Sequence, residues 1–234
     1  MPSERTAVVV EKRPLTPEVR HVVLRLDEPE TFSFQSGQIV QFVLDPKTLR
    51  LFSLASAPAA LPLIELCVDI TPGGRGSQFI ERLRLGDRVQ FRGPFGVFTV
   101  PPAETRPLEF VATGAGIAPI RGMLRGLFEA GNRFERPVAL TFGNRRASDI
   151  LYHDEWLALN AREPAFRYHA TLSQPDAGWT GLHGRVTDAL PSRKDEFQNR
   201  VFFLCGSPQM VDDTRKVLEE IGIPERDIHF EKFF

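Results

Sequence analysis

The sequence predicts two domains, a small antiparallel β-barrel followed by an α/β domain with a parallel sheet. From residue 5 to about residue 100, short apolar or alternating segments are separated by turn residues, which is typical of a barrel. A charged segment bracketed by Pro101 and Pro107 reads as a linker, and after it strands alternate with helices. We expect the domains to span residues 1–101 and 107–234.

Six strands are predicted in the first half, each rich in β-branched, aromatic or alternating residues and each bounded by Gly or Pro. They are Thr6–Lys12, Val19–Leu26, Ile39–Leu44, Phe52–Ser56, Leu63–Ile70 and Arg88–Arg92. One amphipathic stretch, Ser77–Leu83, is predicted to be helical.

The second half reads as alternating strands and helices. The predicted strands are Leu108–Ala112, Val138–Phe142, Tyr168–Leu172 and Val201–Cys205. The predicted helices are Ile120–Glu129, Asp154–Asn160, Val186–Leu190 and Gln209–Ile221. This alternation calls for a parallel sheet that is covered on both faces.

Composition excludes several classes of protein. A hydrophobic content of 42% and a charged content of 25% are typical of a soluble globular chain. The net charge of −1 gives no overall attraction to nucleic acid or anionic membrane. No apolar run reaches the ~18 residues of a membrane span, so we expect a cytoplasmic protein. Two cysteines, Cys67 and Cys205, are too few for a four-thiolate cluster, and we expect no metal site.

Two strand-to-helix turns in the second half are candidate ligand sites. Thr113-Gly114-Ala115-Gly116 follows an apolar strand, and Pro119 suits the first turn of the next helix. Such a turn presents backbone N–H groups to an anion, although it also occurs as a plain structural connection. The second turn contains Cys205 and Gly206, and a buried structural cysteine is the alternative there.

Two segments of the first half complement these turns. Arg50-Leu51-Phe52-Ser53 places a cation, an aromatic ring and a hydroxyl in one strand. Gly74 and Gly76 precede Ser77, which is a candidate helix N-cap with N–H groups free for a phosphate. A capped helix without a ligand is the alternative reading.

Together the motifs resemble the ferredoxin–NADP reductase family over residues 5–234. The resemblance rests on their order, which is Arg-Leu-Phe-Ser, Gly-Arg-Gly-Ser, Thr-Gly-Ala-Gly-Ile-Ala-Pro, Cys-Gly-Ser-Pro-Gln-Met and the terminal Glu231-Lys232-Phe233-Phe234. It implies a Greek-key barrel that binds FAD and a Rossmann-like domain that binds NAD(P). The implied activity is hydride transfer from NADH or NADPH to FAD.

The resemblance also implies roles for residues of the barrel. Arg50 would hold the FAD pyrophosphate together with the N–H groups of Gly76 and Ser77. Leu51 and Phe52 would line the flavin, and Ser53 would approach its reactive nitrogen. The family has Tyr where this chain has Phe52, so one hydrogen bond is lost, worth ~0.5–1.5 kcal/mol.

In the second domain, Thr113, Gly114, Gly116 and Gly206 would line the nicotinamide dinucleotide, with Cys205 near its reactive carbon. Glu231 and the terminal aromatics would form the tail that covers the flavin. Phe233 and Phe234 both qualify as the stacking ring. Ser53, Cys205 and Glu231 are therefore the residues expected to tune hydride transfer.

The coenzyme and the electron acceptor are less constrained. Members that use NADPH generally carry Ser-Arg where this chain has Ser173-Gln174, which favours NADH, although Arg145 and Arg146 could grip a phosphate instead. We expect a separate acceptor, a ferredoxin or another redox protein such as an oxygenase component. The alternatives are a diaphorase-like flavin or quinone reductase and a non-catalytic flavin-binding subunit.

Overall fold

The computed structural model describes residues 4–128 and 135–233, which form two compact units. The first unit contains the chain up to Pro101 together with the segment that begins at Ala118. The second contains Pro102–Ile117 and the remainder of the chain. One segment in the middle of the sequence therefore packs with the N-terminal part.

The first unit is built on a six-stranded antiparallel sheet with the order β4-β3-β6-β1-β2-β5. Its strands are β1 (Glu4–Pro14), β2 (Val19–Leu26), β3 (Ile39–Asp45), β4 (Thr48–Ser53), β5 (Leu63–Asp69) and β6 (Arg88–Phe95). The two edges meet where Leu54 bridges to Leu66 and the Ala55 N–H donates to the Glu65 carbonyl at 2.7 Å. The sheet thus closes into the expected barrel.

Large apolar side chains fill the barrel. Phe42 and Phe91 are fully buried, and Phe32 meets Phe91 edge to face at 5.7 Å between ring centroids. Val22, Leu24 and Ile64 complete this core from β2 and β5. Phenylalanine brings large apolar area without a hydroxyl that needs a partner, which suits the narrow interior.

Two barrel predictions need correction. The predicted strand Phe52–Ser56 is β4 at Thr48–Ser53, because a tight turn from Asp45 to Thr48 folds β4 directly back on β3. The predicted helix Ser77–Leu83 is α1 (Arg75–Arg82), whose N-cap is Gly74. Ser77 is the third helical residue, so its prediction as the N-cap was wrong.

The second unit contains a six-stranded parallel sheet with the order β10-β9-β8-β7-β11-β12. Its strands are β7 (Leu108–Thr113), β8 (Val138–Asn144), β9 (Phe166–Leu172), β10 (Leu182–His183), β11 (Val201–Gly206) and β12 (Ile228–Lys232). The helices of this unit are α3 (His153–Arg162), α4 (Val186–Ala189) and α5 (Pro208–Glu220). Helix α2 (Ile117–Phe128) belongs to the first unit from Ala118 onward. The strand order reverses between β7 and β11, where parallel sheets of this kind bind ligands.

The parallel strands were predicted in order, but the short edge strands β10 and β12 were not. β10 has two residues, and β12 alternates polar and apolar side chains with charges at Glu231 and Lys232. The C-terminal segment therefore lies in the sheet beside β11, with Cys205 opposite Glu231. No helix in the described ranges is long and apolar enough to cross a bilayer.

A buried polar cluster lies on one face of the parallel sheet. The Arg193 guanidinium donates to Glu109 Oε1 at 2.9 Å and to Thr141 Oγ1 at 2.7 Å, and Glu109 is fully buried. His169 lies on the neighbouring strand β9, and burial together with Arg193 lowers its pKa to about 4. A buried charge is tolerated only when it is paired in this way.

Helix α2 packs with the first unit through small residues. A side chain at Gly122 would run into the carbonyls of Leu54 and Ser56 at 2.8 and 2.9 Å. Gly37 has φ +97° and lies against Met123 and the Phe98 carbonyl. These glycines allow the helix backbone to approach the segment that follows β4.

Candidate functional site

The first turn of α1 carries free backbone donors. Arg75, Gly76 and Ser77 are its first three residues, so their N–H groups have no intrahelical partner. The first intrahelical bond is donated by the Gln78 N–H to the Gly74 carbonyl at 3.0 Å. Together with the helix dipole, these groups make the N-terminus of α1 suitable for binding an anion.

The predicted flavin strand lies directly against this helix start. A Cβ placed on Gly76 would be 3.4 Å from Arg50 Cγ and 3.6 Å from Phe52 Cζ. The structure therefore brings Gly76 close to Arg50 and Phe52, although Gly76 follows Phe52 by 24 residues in sequence. Arg50 is exposed and its guanidinium donates only to the neighbouring Leu49 carbonyl among the bonds described.

Successive residues of β4 have different surroundings. Leu51 is 56% exposed, which is unusual for a large apolar residue. Phe52 is half-buried and its ring meets Phe42 at a centroid distance of 5.1 Å. Ser53 is buried at the point where β4 pairs with Ile39. The strand thus offers an exposed apolar side chain, a supported ring and a buried serine.

The second group of predicted residues meets at the carboxyl ends of β7 and β11. Thr113 ends β7, and Gly114 follows with φ +52°. A side chain at Gly116 would overlap the Cys205 carbonyl, and one at Gly206 would overlap the Thr113 hydroxyl. The turn and the end of β11 therefore approach each other as closely as backbone permits, and both glycines are required.

Strand β12 brings the tail to the same edge. Glu231 pairs with Cys205 in register, and the Phe233 N–H donates to the Gly206 carbonyl at 2.8 Å. Burial, and next the Glu231 carboxylate, raise the pKa of the Cys205 thiol well above its usual range. Cys205 is therefore a neutral thiol at physiological pH rather than a nucleophile. Phe234 lies outside the described residues.

The ends of β8 and β9 lie beside this edge. The Ser173 N–H donates to the Asn144 carbonyl at 3.1 Å, and the Gln174 N–H donates to the Arg145 carbonyl at 2.9 Å. Arg145 and Arg146 are both exposed. The backbones of Gln174 and Arg145 are thus hydrogen-bonded to each other, although the residues are 29 positions apart in sequence.

Two of the four arginines between residues 82 and 92 pair with acidic side chains. Arg88 pairs with Asp27 at 2.6 Å, and Arg92 pairs with Glu4. Two further arginines, Arg82 and Arg84, are exposed. This distribution fits an ordinary solvated surface better than a strong positive patch.

Sequence reasoning missed a buried ionic network behind β4. Glu65 on β5 accepts hydrogen bonds from Arg121 and Arg125 of α2, each at 2.6 Å, and His21 Nε2 lies 3.6 Å from its carboxylate. Burial lowers the pKa of His21 to about 4, so this imidazole is neutral. No local sequence signal joins residues so far apart, although Arg121 and Arg125 at i and i+4 share one helix face.

Family models match both halves of the chain. Residues 6–100 match the oxidoreductase FAD-binding domain, and residues 110–216 match the oxidoreductase NAD-binding domain. Ferredoxin–NADP reductase B of Sorangium cellulosum is 35% identical over 97% of this chain and 96% of that protein. The phenol hydroxylase P5 protein of Acinetobacter pittii is 33% identical over 97% of this chain, which spans only 65% of its length.

Solved structures show the same fold. The Amycolatopsis cytochrome P450 reductase GcoB superposes with a TM-score of 0.88 at 30% identity, covering 99% of this chain and 70% of that one. A ferredoxin–NADP⁺ reductase from Neisseria gonorrhoeae with bound FAD and NADP has a TM-score of 0.83 at 23% identity, with 99% of each chain covered. The second likeness establishes the fold alone.

The barrel and the parallel sheet define a two-domain flavoprotein oxidoreductase that uses FAD and NAD(P)H. The chain belongs to the ferredoxin–NADP reductase family. These matches confirm the predicted family, fold class and cofactors.

The residues present fit both cofactors. The N–H groups at the start of α1 and the Arg50 guanidinium suit a pyrophosphate, and Phe52 offers a flat ring beside them. The Gly114–Gly116 turn leaves open space above Gly114, where a Cβ would meet nothing within 4 Å. When bound, FAD accepts a hydride and can release its electrons one at a time, whereas the protein supplies binding and orientation.

Proposed function

We propose that this protein passes electrons from NADH, through FAD, to a separate one-electron acceptor, a ferredoxin or an oxygenase component. The observation that carries the proposal is that Gly76, at the start of α1, lies close to Arg50 and Phe52 of β4. It joins two distant predicted flavin motifs in one place. The names of the relatives support the acceptor class, since they include a ferredoxin reductase and oxygenase reductases.

In this proposal the chain's own residues have distinct tasks. Arg50 and the N–H groups of Gly76 and Ser77 hold the pyrophosphate of FAD, and Leu51 and Phe52 pack on the flavin. Ser53 presents its hydroxyl to the reacting edge. Thr113, Gly114, Gly116 and Gly206 line the dinucleotide, with Cys205 and Glu231 beside the nicotinamide.

Orientation is the chief contribution of these groups, because hydride transfer needs the two reacting atoms at near-contact distance. The buried thiol of Cys205 excludes water and stays protonated. Phe233 or Phe234 covers the flavin until nicotinamide displaces it.

A cytoplasmic location and the domain boundaries 1–101 and 107–234 also remain predictions.

The preference for NADH rests on Gln174, which carries no charge for a 2′-phosphate. Arg145 is its backbone neighbour and would serve as the alternative cation if the coenzyme were NADPH. A contact of Gln174 with the ribose would therefore favour NADH, whereas a contact of Arg145 with a 2′-phosphate would favour NADPH.

Anaerobic titration of the purified flavoprotein with NADH and then NADPH, following the flavin absorption band, tests the proposal. We expect stoichiometric bleaching by NADH, followed by rapid reoxidation with a plant-type ferredoxin. Protein that holds FAD but stays oxidised with both nucleotides would be the non-catalytic subunit. Protein that purifies without flavin, and reduces added flavin or quinone faster than ferredoxin, would be the diaphorase-like reductase.

A further inference from the structure

The strongest unassigned feature is the buried network around Glu65. Its carboxylate accepts from Arg121 Nη1 through Oε2 and from Arg125 Nη1 through Oε1, both at 2.6 Å. The side chains of Arg121 and Glu65 are only 8% and 12% exposed. Burial opposes ionisation of Glu65, but Arg121 and Arg125 outweigh it and lower the pKa of this carboxyl.

Arg121 also binds the backbone that follows the flavin strand. The same Nη1 atom donates to the Ala55 carbonyl at 2.8 Å. On the opposite side, the Ala55 N–H donates to the Glu65 carbonyl at 2.7 Å, and Ser56 Oγ accepts from the Glu65 N–H at 3.1 Å. Residues 54–56 are thus held between β5 and α2.

Close packing completes this arrangement. Gly122 follows Arg121 and lies against the carbonyls of Leu54 and Ser56. The Leu54 N–H donates to the Gln38 carbonyl at 3.0 Å. Ser53 immediately precedes this segment in the chain, so a shift of residues 54–56 would also displace Ser53.

A buried ion pair of this kind contributes little net stability compared with apolar residues of the same shape. Its geometry, with one guanidinium fixed by a carboxylate and a carbonyl, instead defines a single backbone position. We propose that Arg121 and Glu65 are positioning residues for hydride transfer, which act by holding residues 54–56 and therefore Ser53 in place. This inference rests on the proposed function.

The test compares Arg121→Met with the matched control Arg193→Met, which removes a buried arginine from the cluster around Glu109 in the other unit. Both variants are purified with FAD and reduced by saturating nucleotide in a stopped-flow instrument. We expect the limiting rate of flavin reduction to fall about ten- to hundredfold in Arg121→Met, with stoichiometric FAD retained. Arg193→Met should keep a rate close to that of the wild-type protein.

Amide hydrogen exchange gives a readout that does not depend on activity. Exchange in a peptide covering residues 50–57 should be about tenfold faster in Arg121→Met than in Arg193→Met, because the first loses the hold on Ala55. Arg121→Lys keeps one donor, and we expect it to restore part of both readouts. If either methionine variant does not fold, Arg121→Lys and Glu65→Gln are compared with Arg193→Lys instead.

Two results would overturn the proposal. One is an unchanged limiting rate together with unchanged exchange in residues 50–57, even if the variant unfolds at lower temperature. The other is equal loss of rate in Arg121→Met and Arg193→Met, which would indicate a general effect on stability. Failure of the proposed function is recognised separately, because the flavin of the wild-type protein would then not be reduced by either nucleotide. The hydrogen-exchange comparison would still show whether Arg121 holds residues 54–56.

Discussion

At the scale of single residues, Phe52 is the clearest departure from the family's flavin motif. Its ring is supported by Phe42 and lies close to Gly76, so we expect it to stack on the flavin although the phenol hydroxyl is missing. We expect the loss to be one hydrogen bond, because Arg50 and Ser53 of the motif are present.

Phe52→Tyr is therefore expected to tighten FAD binding by about 0.5–1.5 kcal/mol, the net value of one neutral hydrogen bond. Titration of apoprotein with FAD, followed by quenching of flavin fluorescence, measures the change. Phe230→Tyr is the control, since Phe230 is 41% exposed on β12. Equal affinities of Phe52→Tyr and the wild-type protein would show that no acceptor for the hydroxyl exists there.

Gln174 is the residue on which coenzyme choice is expected to depend. Gln174→Arg should lower the KM for NADPH at least about tenfold, because a charge-assisted contact to phosphate is worth ~1.5–3 kcal/mol. The KM for NADH should change little. Steady-state kinetics with both coenzymes measures this, and Arg145→Ala provides the complementary variant. A wild-type preference for NADPH that Arg145→Ala abolishes would contradict the assignment.

At the scale of elements, the sheet face that carries His169 links stability to pH. Burial and Arg193 lower the pKa of this imidazole to about 4, whereas the unfolded chain titrates near 6.5. The unfolded state therefore binds the proton first, and stability falls as pH decreases from about 6.5 to about 4. His21 in the barrel contributes with the same sign.

His169→Asn should flatten that dependence, by on the order of 1–2 kcal/mol over the interval. Thermal unfolding recorded at several pH values between 4 and 7 measures it. His183→Asn is the control because His183 is an exposed residue of β10. Parallel curves for His169→Asn and wild-type protein would show that His169 is protonated alike in both states.

Elements were predictable where periodicity is local. Strand β2 was predicted with its observed limits, since Val19–Leu26 is rich in Val and Leu. β4 was displaced because Arg50 and Leu51, which are both exposed, interrupt the alternation that marks a strand. β12 was missed because edge strands carry charges that resemble a loop.

The site was predictable only where its residues form local motifs. The glycine turns and the Arg-Leu-Phe-Ser segment are local motifs. The network of Glu65 with Arg121 is formed by partners 56 residues apart, so one sequence without its fold gives no sign of it. The pairing of Cys205 with Glu231 likewise depends on β12.

At the scale of the whole molecule, the first unit is discontinuous in sequence. Helix α2 supplies Arg121, Gly122 and Met123 to its packing, although 16 residues (102–117) of the other unit precede this segment. A fragment containing only residues 1–101 would lack these contacts and leave Glu65 without its arginines.

We expect residues 1–101 alone to be unstable, and expect a fragment in which residues 118–128 are joined to them by a flexible linker to fold better. Circular dichroism and the urea midpoint of each fragment measure the difference. As a control, a linker of the same length carrying Arg121→Met should recover less stability. A cooperative transition of residues 1–101 at the same midpoint as the joined fragment would show that α2 is dispensable.

The interleaving of the two units has a consequence for how such proteins can be recombined. A chimera that exchanges barrels between two reductases at the linker between Pro101 and Pro107 would carry β5 of one parent and α2 of the other. Glu65 and Arg121 would then come from different parent proteins. Functional chimeras should instead transfer residues 118–128 together with the barrel. The segments to exchange are therefore chosen by their packing and not by their order in the sequence.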